Sequence, residues 1–403
     1  MFIAEPTTVQ AASRRIAVIS TMGGAPWGGS EELWAAMVEE ALNERHDVFV
    51  SVYGWPETPR KILSVRQKGA RVFTRAFPRY PRIRRLARAF SASPFARAFS
   101  FAPDVICVNQ GGTYDAAYLR DLPRMLLNGP APYLLLCHLN YDTFVIDHDK
   151  RELAGELFKR AAGVVFVSHE NLRLAERQLA RKLPHAVVLQ NPLGLADVTP
   201  IAWPPAGKVV LASVARLEVK QKGQDLLLET LGATAWRDRE WQLNFYGEGP
   251  DKAYLQSLAR HYGIAERVHF RGYQDVRNIW AQDHLLVLPS RAEGVPLVVV
   301  EAMLCGRPAV VTEVGATAEW LTEGLTGFIA EAATIKSFGA ALERAWAVKD
   351  DWPALGALAH DKALRKIDRS PGKTLLQMTL NVAYTKQTRQ ADGSPTKAQT
   401  ESK

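Results

Sequence analysis

Two patterns alternate along most of this chain: short apolar runs, and longer segments with apolar residues three or four positions apart. The runs are typical of strands covered on both faces, and the longer segments are typical of helices that pack on a sheet. In the first half the predicted strands are RIAVIS, HDVFVSVYG, PDVICVNQ, PYLLLCHLN, GVVFVSH and HAVVLQN. Helical segments such as SEELWAAMVEEALNERH and ENLRLAERQLARKL separate them, which predicts a parallel sheet with helices on both faces.

The alternation pauses at the proline-rich segment NPLGLADVTPIAWPPAGK and then resumes with predicted strands at KVVLASVAR, WQLNFYGEG, RVHFRGY, HLLVLPS, RPAVVTEVG and GFIA. We therefore predict an α/β protein with two doubly wound, Rossmann-like parallel-sheet domains that face each other across a cleft. The predicted boundaries are 1–195 for the first domain, with a basic insertion at 58–98, and 206–370 for the second. Segment 371–385 is predicted to return to the first domain, and the polar tail 386–403 to be disordered.

Composition narrows the class of protein. The chain has 403 residues, 47% apolar and 23% charged, which suits two globular domains. No run approaches the roughly 20 apolar residues of a membrane-spanning helix, and the N-terminus has no secretory signal pattern. We therefore expect a cytoplasmic protein, with a peripheral position at the inner face of the membrane left open. Cys107, Cys137 and Cys305 lie in apolar runs without metal-ligand spacing, so we predict neither a disulfide framework nor a metal site.

The net charge of +8 is unevenly distributed, because no acidic residue lies between Arg60 and Arg97. The basic residues inside this run are Lys61, Arg66, Lys68, Arg71, Arg75, Arg79, Arg82, Arg84, Arg85 and Arg88. Such a run attracts anions, and aromatic and aliphatic residues interrupt it. Two interpretations stay open: an amphipathic element that contacts an anionic membrane or a phosphate-bearing acceptor, or a solvated face without a partner.

A glycine-rich loop, TMGGAPWGGSEELW, follows the first predicted strand. Gly28 and Gly29 leave space for a close approach of a ligand to the backbone, and Ser30 is predicted to cap the helix that follows. Free amides and the helix dipole at such a position favour a phosphate group. The spacing matches neither a dinucleotide fingerprint nor a Walker loop, so a simple glycine-rich turn is the alternative.

The second domain places cations and glycines at predicted strand ends. Arg216 follows its first strand, and Lys222 precedes the next helix, where the two could hold a diphosphate and neutralise its charge. For each residue alone, an ordinary surface cation is the alternative. Candidates for backbone contacts with a base or a sugar edge follow in YGEGP and FRGYQD: Gly247, Gly249, Gly272 and Tyr273.

The stretch RAEGVPLVVVEAMLCG joins a loop to a helix that is predicted to begin near Pro296 and to end at Gly306. Glu293 is expected in the loop beyond a strand end, and Glu301 in the first two turns of the helix. Because carboxylates accept hydrogen bonds from hydroxyl groups, we expect this pair to contact a sugar or a ribose.

These residues resemble a known family. The E-x7-E spacing of Glu293 and Glu301 is similar to the donor-site signature of retaining glycosyltransferases of the GT-B fold, family 4. Other marks of that family occur in order, as GGSEE, HLN, VARLEVKQKG and YGEGP. The resemblance covers roughly residues 14–345 and is strongest in the second domain.

The resemblance implies roles for single residues. It implies that Glu301 binds the ribose hydroxyls, that Glu293 contacts the transferred sugar, and that His138 lies near the sugar and the acceptor. It also implies that Arg216 and Lys222 bind the diphosphate. The backbone implied to help hold sugar and phosphate consists of Gly294, Val295, Pro296 and Leu297.

The activity that the resemblance implies is retaining transfer from a UDP- or GDP-linked sugar to a hydroxyl acceptor in polysaccharide, glycolipid or other cell-envelope glycan synthesis. No metal or other cofactor is expected, because two cations can stabilise the leaving diphosphate. The implied role of Glu293 is positioning, with covalent nucleophile as the chemical alternative. The spacer LEVKQKG is slightly longer and more basic than the family's usual form, so Lys220 is a second candidate for the role of Lys222. Nucleic acid is not expected as a partner.

Two other classes of function compete. A nucleotide-sugar hydrolase or epimerase on the same fold would have a similar site, and a non-catalytic nucleotide-sugar-binding subunit would retain part of it. A dehydrogenase fits less well, because the first glycine loop lacks the dinucleotide spacing.

Overall fold

The computed structural model describes residues 12–76, 92–205 and 207–391, with side chains as far as residue 384. The strands of the first sheet are β1 (Arg15–Ser20), β2 (Asp47–Tyr53), β3 (Arg71–Arg75), β4 (Val105–Gly112), β5 (Tyr133–Leu139), β6 (Gly163–Phe166) and β7 (Ala186–Val188). All pair in parallel, in the order β3-β2-β1-β4-β5-β6-β7. The central strands are buried along almost their whole length, because helices cover both faces of the sheet.

The helices of the first domain are α1 (Gly29–Asn43), α2 (Arg60–Gln67), α3 (Ala96–Ser100), α4 (Asp115–Tyr118), α5 (Leu122–Asn128), α6 (His148–Arg160) and α7 (His169–Leu179). Helix α1 buries Trp34, Met37, Val38 and Ala41, whose spacing of three and four positions places them on one face. Each large apolar side chain buried in this way contributes about 1.5–3 kcal/mol to folding. The orientation of α1 on the sheet is therefore well determined.

The second sheet repeats this architecture. Its strands are β8 (Val209–Val214), β9 (Trp241–Tyr246), β10 (Val268–Gly272), β11 (Leu285–Leu288), β12 (Ala309–Thr312) and β13 (Gly327–Ala330). They pair in parallel in the order β10-β9-β8-β11-β12-β13. Its helices are α8 (Val219–Lys222), α9 (Gln224–Gly232), α10 (Lys252–His261), α11 (Val276–Trp280), α12 (Leu297–Leu304), α13 (Thr317–Trp320), α14 (Ile335–Ala347) and α15 (Trp352–Lys366).

The chain passes between the two sheets twice. The first passage follows β7, and the second follows α15 and leads into α16 (Pro371–Ala391), which packs against α1. Where the passages meet, Gln190 Nε2 donates a hydrogen bond to the carbonyl of Lys366 at 2.9 Å, and the amide of Asp368 donates to Gln190 Oε1 at 2.9 Å. The last helix thus adds its apolar residues to the core of the first domain.

In both sheets the strand order reverses next to the first strand, between β1 and β4 and between β8 and β11. Loops that leave neighbouring strands at such a switch point diverge, which opens a crevice at the carboxyl ends. The predicted fold class, two doubly wound parallel-sheet domains, is confirmed. The loops after β1, β4, β8 and β11 therefore lie where sheets of this kind bind ligands.

The prediction that segment 58–98 is a basic insertion is wrong for residues 60–75. Residues 60–75 form α2 and the edge strand β3, and Ile62 and Val65 pack into the core. The sequence RVFTR has arginines at both ends and only two adjacent apolar residues, a pattern that the apolar-run criterion does not detect. Residues 77–91 lie outside the described residues. This segment contains the other five arginines of the basic run, Arg79, Arg82, Arg84, Arg85 and Arg88.

Four of the basic residues in the described part of this run have partners within the domain. The ammonium of Lys61 lies 3.5 Å from Glu32, that of Lys68 lies 3.2 Å from Glu39, and Arg71 lies 3.1 Å from Asp47. The guanidinium of Arg75 is buried and donates to the carbonyl of Ser20. These cations therefore help to hold the sheet and its helices together.

Two further predictions are wrong in detail. Ser30 does not cap α1, because the helix begins at Gly29 and Gly28 occupies the N-cap position. The predicted disorder of 386–403 is wrong at its start, since α16 continues to Ala391. No proline or glycine lies between Gly372 and Gly393, so neither residue type ends the helix at residue 385. Residues 392–403 lie outside the described residues.

Candidate active site

A lysine and a glutamate from two loops form an ion pair at the switch point of the second sheet. Lys222 ends α8, and Glu293 lies in the loop after β11. The ammonium of Lys222 donates to both carboxylate oxygens of Glu293, at 2.8 and 2.9 Å, and Ser290 Oγ donates to one of them at 2.6 Å. The two side chains are 19% and 7% exposed, so solvent screens this pair far less than a surface salt bridge.

Gly223 fixes the position of the lysine. Its φ of +65° lies in the left-handed region, and a Cβ there would overlap the carbonyl oxygen of Pro289 at the end of β11. The backbone after Lys222 therefore lies directly against the strand that leads to Glu293. Only glycine allows this contact, which explains why the ion pair forms between these two loops.

Arg216 follows β8 and reaches towards the first domain. Its guanidinium donates to Glu218 at 2.5 Å and to the carbonyl of Gly24, in the glycine-rich loop after β1, at 3.4 Å. Its Nε is buried and has no hydrogen-bond partner within the described structure. The guanidinium is thus held at the boundary between the domains, and its Nε–H group can still donate a hydrogen bond.

Glu301 lies in the second turn of α12 and has a different partner from Glu293. Its Oε1 accepts a hydrogen bond from the amide of Gly194 at 3.2 Å, in the segment that joins the domains. Burial raises the pKa of the Glu301 carboxyl, and the hydrogen bond from Gly194 partly opposes this shift. The two acids of the E-x7-E pattern are therefore held separately, one by a cation and one by a backbone amide.

The two domains touch at the loop that carries Glu293. A Cβ on Gly294 would overlap the carbonyl oxygen of His138, and a Cβ on Gly29 would lie 3.3 Å from Leu297 Cδ1. The main chain around Gly294 and the start of α12 therefore face the end of β5 and the start of α1. Val295 and Pro296, whose backbone is also predicted to help hold sugar and phosphate, lie in the chain between Gly294 and Leu297.

In the first domain, His138 ends a chain of buried polar side chains. Its Nε2 lies 2.7 Å from Asn109 Oδ1, and Asn109 Nδ2 donates to Glu31 Oε1 at 2.7 Å. The hydroxyl of Ser20 lies 3.0 and 2.9 Å from the two oxygens of Glu31. Burial lowers the pKa of His138 to about 3 and raises that of Glu31 to about 7. His138 is therefore neutral at physiological pH.

The predicted glycines at the other strand ends make close contacts within the second domain. A Cβ on Gly247 would overlap the carbonyl of Ala215, and one on Gly249 would overlap that of Leu217. The amide of Gly247 also donates to the carbonyl of Gly272 at 2.9 Å. These contacts hold the loop after β9 against the loop that carries Arg216. Tyr273 is 78% exposed, and Gly28 lies before α1 with open space around it apart from Met22.

A cavity of about 650 Å³ opens between the domains beside Glu293. The first domain lines it with Asn140, Tyr141, Asp142, Thr143, His169, Glu170, Arg173 and Leu174, and the second with Arg291, Ala292, Glu293, Glu313, Val314, Gly315, Ala318 and Glu319. The amide of Glu170 donates to Glu319 Oε1 at 3.0 Å across the boundary between the domains. The polar lining suits a ligand with many hydroxyl groups.

The residues that hold these groups in place, Asn109 and Glu31, were not predicted from the sequence. Asn109 is a polar residue at the end of a buried strand, in VICVNQ, and Glu31 is an acid in the first turn of α1. A polar residue in such a buried run is the signal that could have identified Asn109. Among the described residues, no group of three or more His, Cys, Asp or Glu side chains is arranged to hold a metal ion. The helices of the described part include none that could cross a membrane.

The family model described as glycosyl transferases group 1 matches residues 208–347, most of the second domain. A human relative, one of the subunits of phosphatidylinositol N-acetylglucosaminyltransferase, is 31% identical over 161 residues, which are 39% of this chain and 33% of the human protein. The N-acetyl-alpha-D-glucosaminyl L-malate synthase of Bacillus anthracis is 37% identical over 91 residues, 22% of this chain and 24% of that protein. The matched stretches thus span about a third or less of these relatives' own length.

Solved structures match nearly the whole chain. Anabaena HepE in complex with UDP and glucose has a TM-score of 0.70 at 18% identity, covering 93% of this chain and 99% of its own. Sucrose-phosphate synthase from Thermosynechococcus elongatus has a TM-score of 0.66 at 16% identity, covering 95% and 100%. At such identities the likeness establishes the fold. Residues 208–347 of this chain match the model of the glycosyl transferases group 1 family, and the chain as a whole has the two-domain GT-B fold.

Proposed function

We propose that this protein is a retaining glycosyltransferase that moves a sugar from a nucleotide diphosphate sugar to a hydroxyl group of an acceptor in glycan synthesis. The observation that carries the proposal is the Lys222–Glu293 pair beside Arg216, at the switch point of the second sheet and within the region matched by the family model. Doubly wound sheets bind nucleotides at this position. A sugar attached to the nucleotide would then lie between the domains.

Arg216 and Lys222 are proposed to bind the diphosphate. Guanidinium and ammonium groups are the side chains that form charge-assisted hydrogen bonds with phosphate oxygens. Arg216 has an unpaired Nε, and its contact with Gly24 places it where the two domains meet. Lys222 is already held by Glu293, so binding requires little reordering of its long side chain.

Glu301 is proposed to bind the ribose. One carboxylate oxygen accepts from Gly194, and a carboxylate has several further acceptor sites for the two hydroxyls of a ribose. We propose UDP as the nucleotide, supported by the solved complexes of HepE with UDP and glucose, and GDP as the alternative. The names of the human and Bacillus relatives make N-acetylglucosamine the first sugar to test.

The proposed reaction forms one bond and breaks one at the anomeric carbon. The bond from this carbon to the diphosphate oxygen breaks, and the electron pair stays on the diphosphate, where Arg216 and Lys222 stabilise the charge. The acceptor hydroxyl attacks on the same face, and its proton passes to the departing phosphate oxygen. The carboxylate of Glu293 already accepts from Lys222 and Ser290, which supports a positioning role over that of a covalent nucleophile.

Two cations supply the positive charge that the leaving group needs, so the proposed reaction does not depend on a metal ion. We propose that the acceptor enters through the cavity between the domains and presents a hydroxyl near Glu293. Peripheral contact with a membrane remains a proposal that concerns the part of the basic run outside the described residues.

The function is tested by incubating the full chain with UDP-glucose, UDP-N-acetylglucosamine or GDP-mannose, each with and without a set of sugar and glycerol acceptors, and measuring nucleoside diphosphate release. We expect release that depends on the acceptor and persists in EDTA. Rapid consumption of donor without acceptor would instead indicate a hydrolase or an epimerase. Binding of every donor without turnover, with any acceptor, would indicate a non-catalytic subunit.

A further inference from the structure

Three buried side chains from three elements of the first domain form one continuous hydrogen-bonded chain. Glu31 lies in α1, Asn109 in the second half of β4 and His138 next to the last residue of β5, and they are 3%, 0% and 4% exposed. The distances from Glu31 Oε1 to Asn109 Nδ2 and from Asn109 Oδ1 to His138 Nε2 are both 2.7 Å. Buried polar groups in such a chain constrain one another, because each must satisfy its neighbour.

The chemistry of Asn109 gives this chain a direction. An amide has one end that donates and one that accepts, and its NH₂ group faces an oxygen of Glu31. Its carbonyl oxygen therefore faces the imidazole of His138. Since that oxygen can only accept, His138 Nε2 must carry the proton, and a neutral ring then has an unprotonated Nδ1.

Glu31 is itself firmly held. Ser20 Oγ lies within 3.0 Å of both of its oxygens, and Arg75 donates to the carbonyl of Ser20 from the edge of the sheet. The main chain of His138 is also fixed, because Asn171 Nδ2 donates to its carbonyl at 2.7 Å. Neither end of the chain is free to rotate away.

Nδ1 of His138 is buried and has no hydrogen-bond partner within the described structure. An acceptor left unpaired in the interior destabilises the protein, and a hydrogen bond from a hydroxyl group of a ligand would remove this cost. The main chain of the same residue touches Gly294, next to Glu293 in the proposed donor site. A histidine at this position thus combines an unused acceptor with proximity to the site.

We propose that Glu31 and Asn109 are positioning residues that hold His138 with its proton on Nε2, so that Nδ1 accepts a hydrogen bond from a sugar hydroxyl bound between the domains. The tautomer depends only on the contacts above, whereas the hydroxyl partner rests on the proposed function. The opposite tautomer would place a proton on Nδ1 and turn this acceptor into a donor.

The tautomer is tested in the full chain without any ligand. Long-range ¹H–¹⁵N correlation spectra of histidine-labelled protein distinguish protonated from unprotonated ring nitrogens, and His138→Gln identifies the signals among the nine histidines. We expect the proton on Nε2 in the wild type and in Glu31→Gln, whose amide oxygen can still accept from Asn109. Glu31→Leu removes that acceptor and should give a mixture of tautomers.

The matched control is Glu32→Leu, which removes the neighbouring carboxylate on α1, whose partners are Trp27 and Lys61. It should leave the His138 signals unchanged. A wild-type spectrum with the proton on Nδ1 overturns the proposal, and this result does not depend on any variant folding. An unchanged tautomer in a folded Glu31→Leu variant also overturns it.

The hydroxyl partner is tested by adding ligands to the labelled wild type. The experiment compares UDP, UDP together with glucose, and a nucleotide sugar. The nucleotide sugar is whichever of UDP-glucose, UDP-N-acetylglucosamine and GDP-mannose binds in calorimetry. A change in the Nδ1 shift with the nucleotide sugar but not with UDP indicates a donor hydroxyl, and a change only with UDP and glucose indicates an acceptor hydroxyl. Bound ligands that never change the Nδ1 shift overturn this part, whereas failure of every nucleotide to bind contradicts the proposed function and leaves the tautomer result standing.

Discussion

At the scale of single residues, the site depends on charged groups whose partners differ although their sequence contexts look alike. Glu293 forms an ion pair with Lys222 and accepts a hydrogen bond from Ser290, whereas Glu301 accepts from the amide of Gly194. Their seven-residue separation was evident in the sequence, but their partners come from loops 71 and 107 positions away. Such long-range partners come together where the ends of neighbouring strands meet in the folded sheet. A local sequence pattern does not indicate which strand ends will be neighbours.

Replacing either proposed donor-binding residue should abolish most of the transfer. For Lys222→Ala and Glu301→Ala we expect kcat/KM to fall by about 10²–10³, the loss typical of a removed group that stabilises developing charge or positions the substrate. Steady-state kinetics measure the loss, and circular dichroism checks the fold. Lys252→Ala is the matched control, because Lys252 forms a surface ion pair with Glu248, and its kinetics should stay at the wild-type level. Near-normal turnover in both site variants would show that the site is assigned wrongly.

Glu31 should make the stability of the protein depend on pH. Burial raises the pKa of Glu31 from 4.5 to about 7, and Arg75 and Glu32 are the charged groups that act on it through space. Between these values the folded state keeps a proton that the unfolded state has lost, so stability falls as the pH rises. At about 1.4 kcal/mol per pKa unit, the contribution is on the order of 3 kcal/mol. Urea unfolding from pH 4.5 to 7.5 should therefore show a flatter profile for Glu31→Gln than for the wild type, and parallel profiles would contradict this assignment.

At the scale of elements, the site depends on where short helices and loops leave the strands. The short α8 ends in Lys222, and Gly223 places this end against the carbonyl of Pro289. A shift of a single turn would separate the lysine from Glu293. The geometry of one glycine therefore controls whether the ion pair forms.

Two glycine substitutions separate this effect from ordinary backbone strain. Gly223 and Gly263 have φ values of +65° and +69°, but a Cβ meets a carbonyl only at Gly223 and meets nothing within 4 Å at Gly263. Both alanine variants should lose about 1 kcal/mol or more of stability from the left-handed backbone. Only Gly223→Ala should also weaken UDP binding, measured by calorimetry. Equal binding in the two variants would mean that α8 does not position Lys222.

The elements of the fold could largely be predicted from the sequence, because strands covered on both faces are nearly uniform apolar runs. The edge strand β3 could not, since its basic residues lie next to the solvent or fill a polar interior site, as Arg75 does. Asn109 and Glu31 were missed for a related reason. Each looks ordinary in its own segment, and only the pairing of β1 with β4 brings them together.

At the scale of the whole molecule, the last helix connects the second domain back to the first. Helix α16 packs along α1, whose first turn carries Glu31, and Gly372 lies against Ala36. A Cβ on Gly372 would come within 2.6 Å of Ala36 Cβ. The second passage of the chain between the domains therefore ends in a tightly packed helix pair.

An alanine at this contact should destabilise the protein. We expect Gly372→Ala to lose about 1–3 kcal/mol through overpacking, measured by urea denaturation. Gly339→Ala is the matched control, because Gly339 is also helical and its nearest neighbour would lie at an ordinary 3.5 Å. The control should be neutral or slightly stabilising, since alanine is the better helix former. Gly372→Ala as stable as Gly339→Ala would contradict the packing of α16 on α1.

The most direct test of the central claim is calorimetric titration of UDP and GDP into the wild type, Lys222→Ala and the control Lys252→Ala. The account predicts that the wild type and the control bind one nucleotide with equal affinity. Lys222→Ala should bind it at least about tenfold more weakly, a loss of about 1.4 kcal/mol. No binding of either nucleotide to the wild type, or an unchanged affinity in Lys222→Ala, would contradict a nucleotide-sugar site at the Lys222–Glu293 pair.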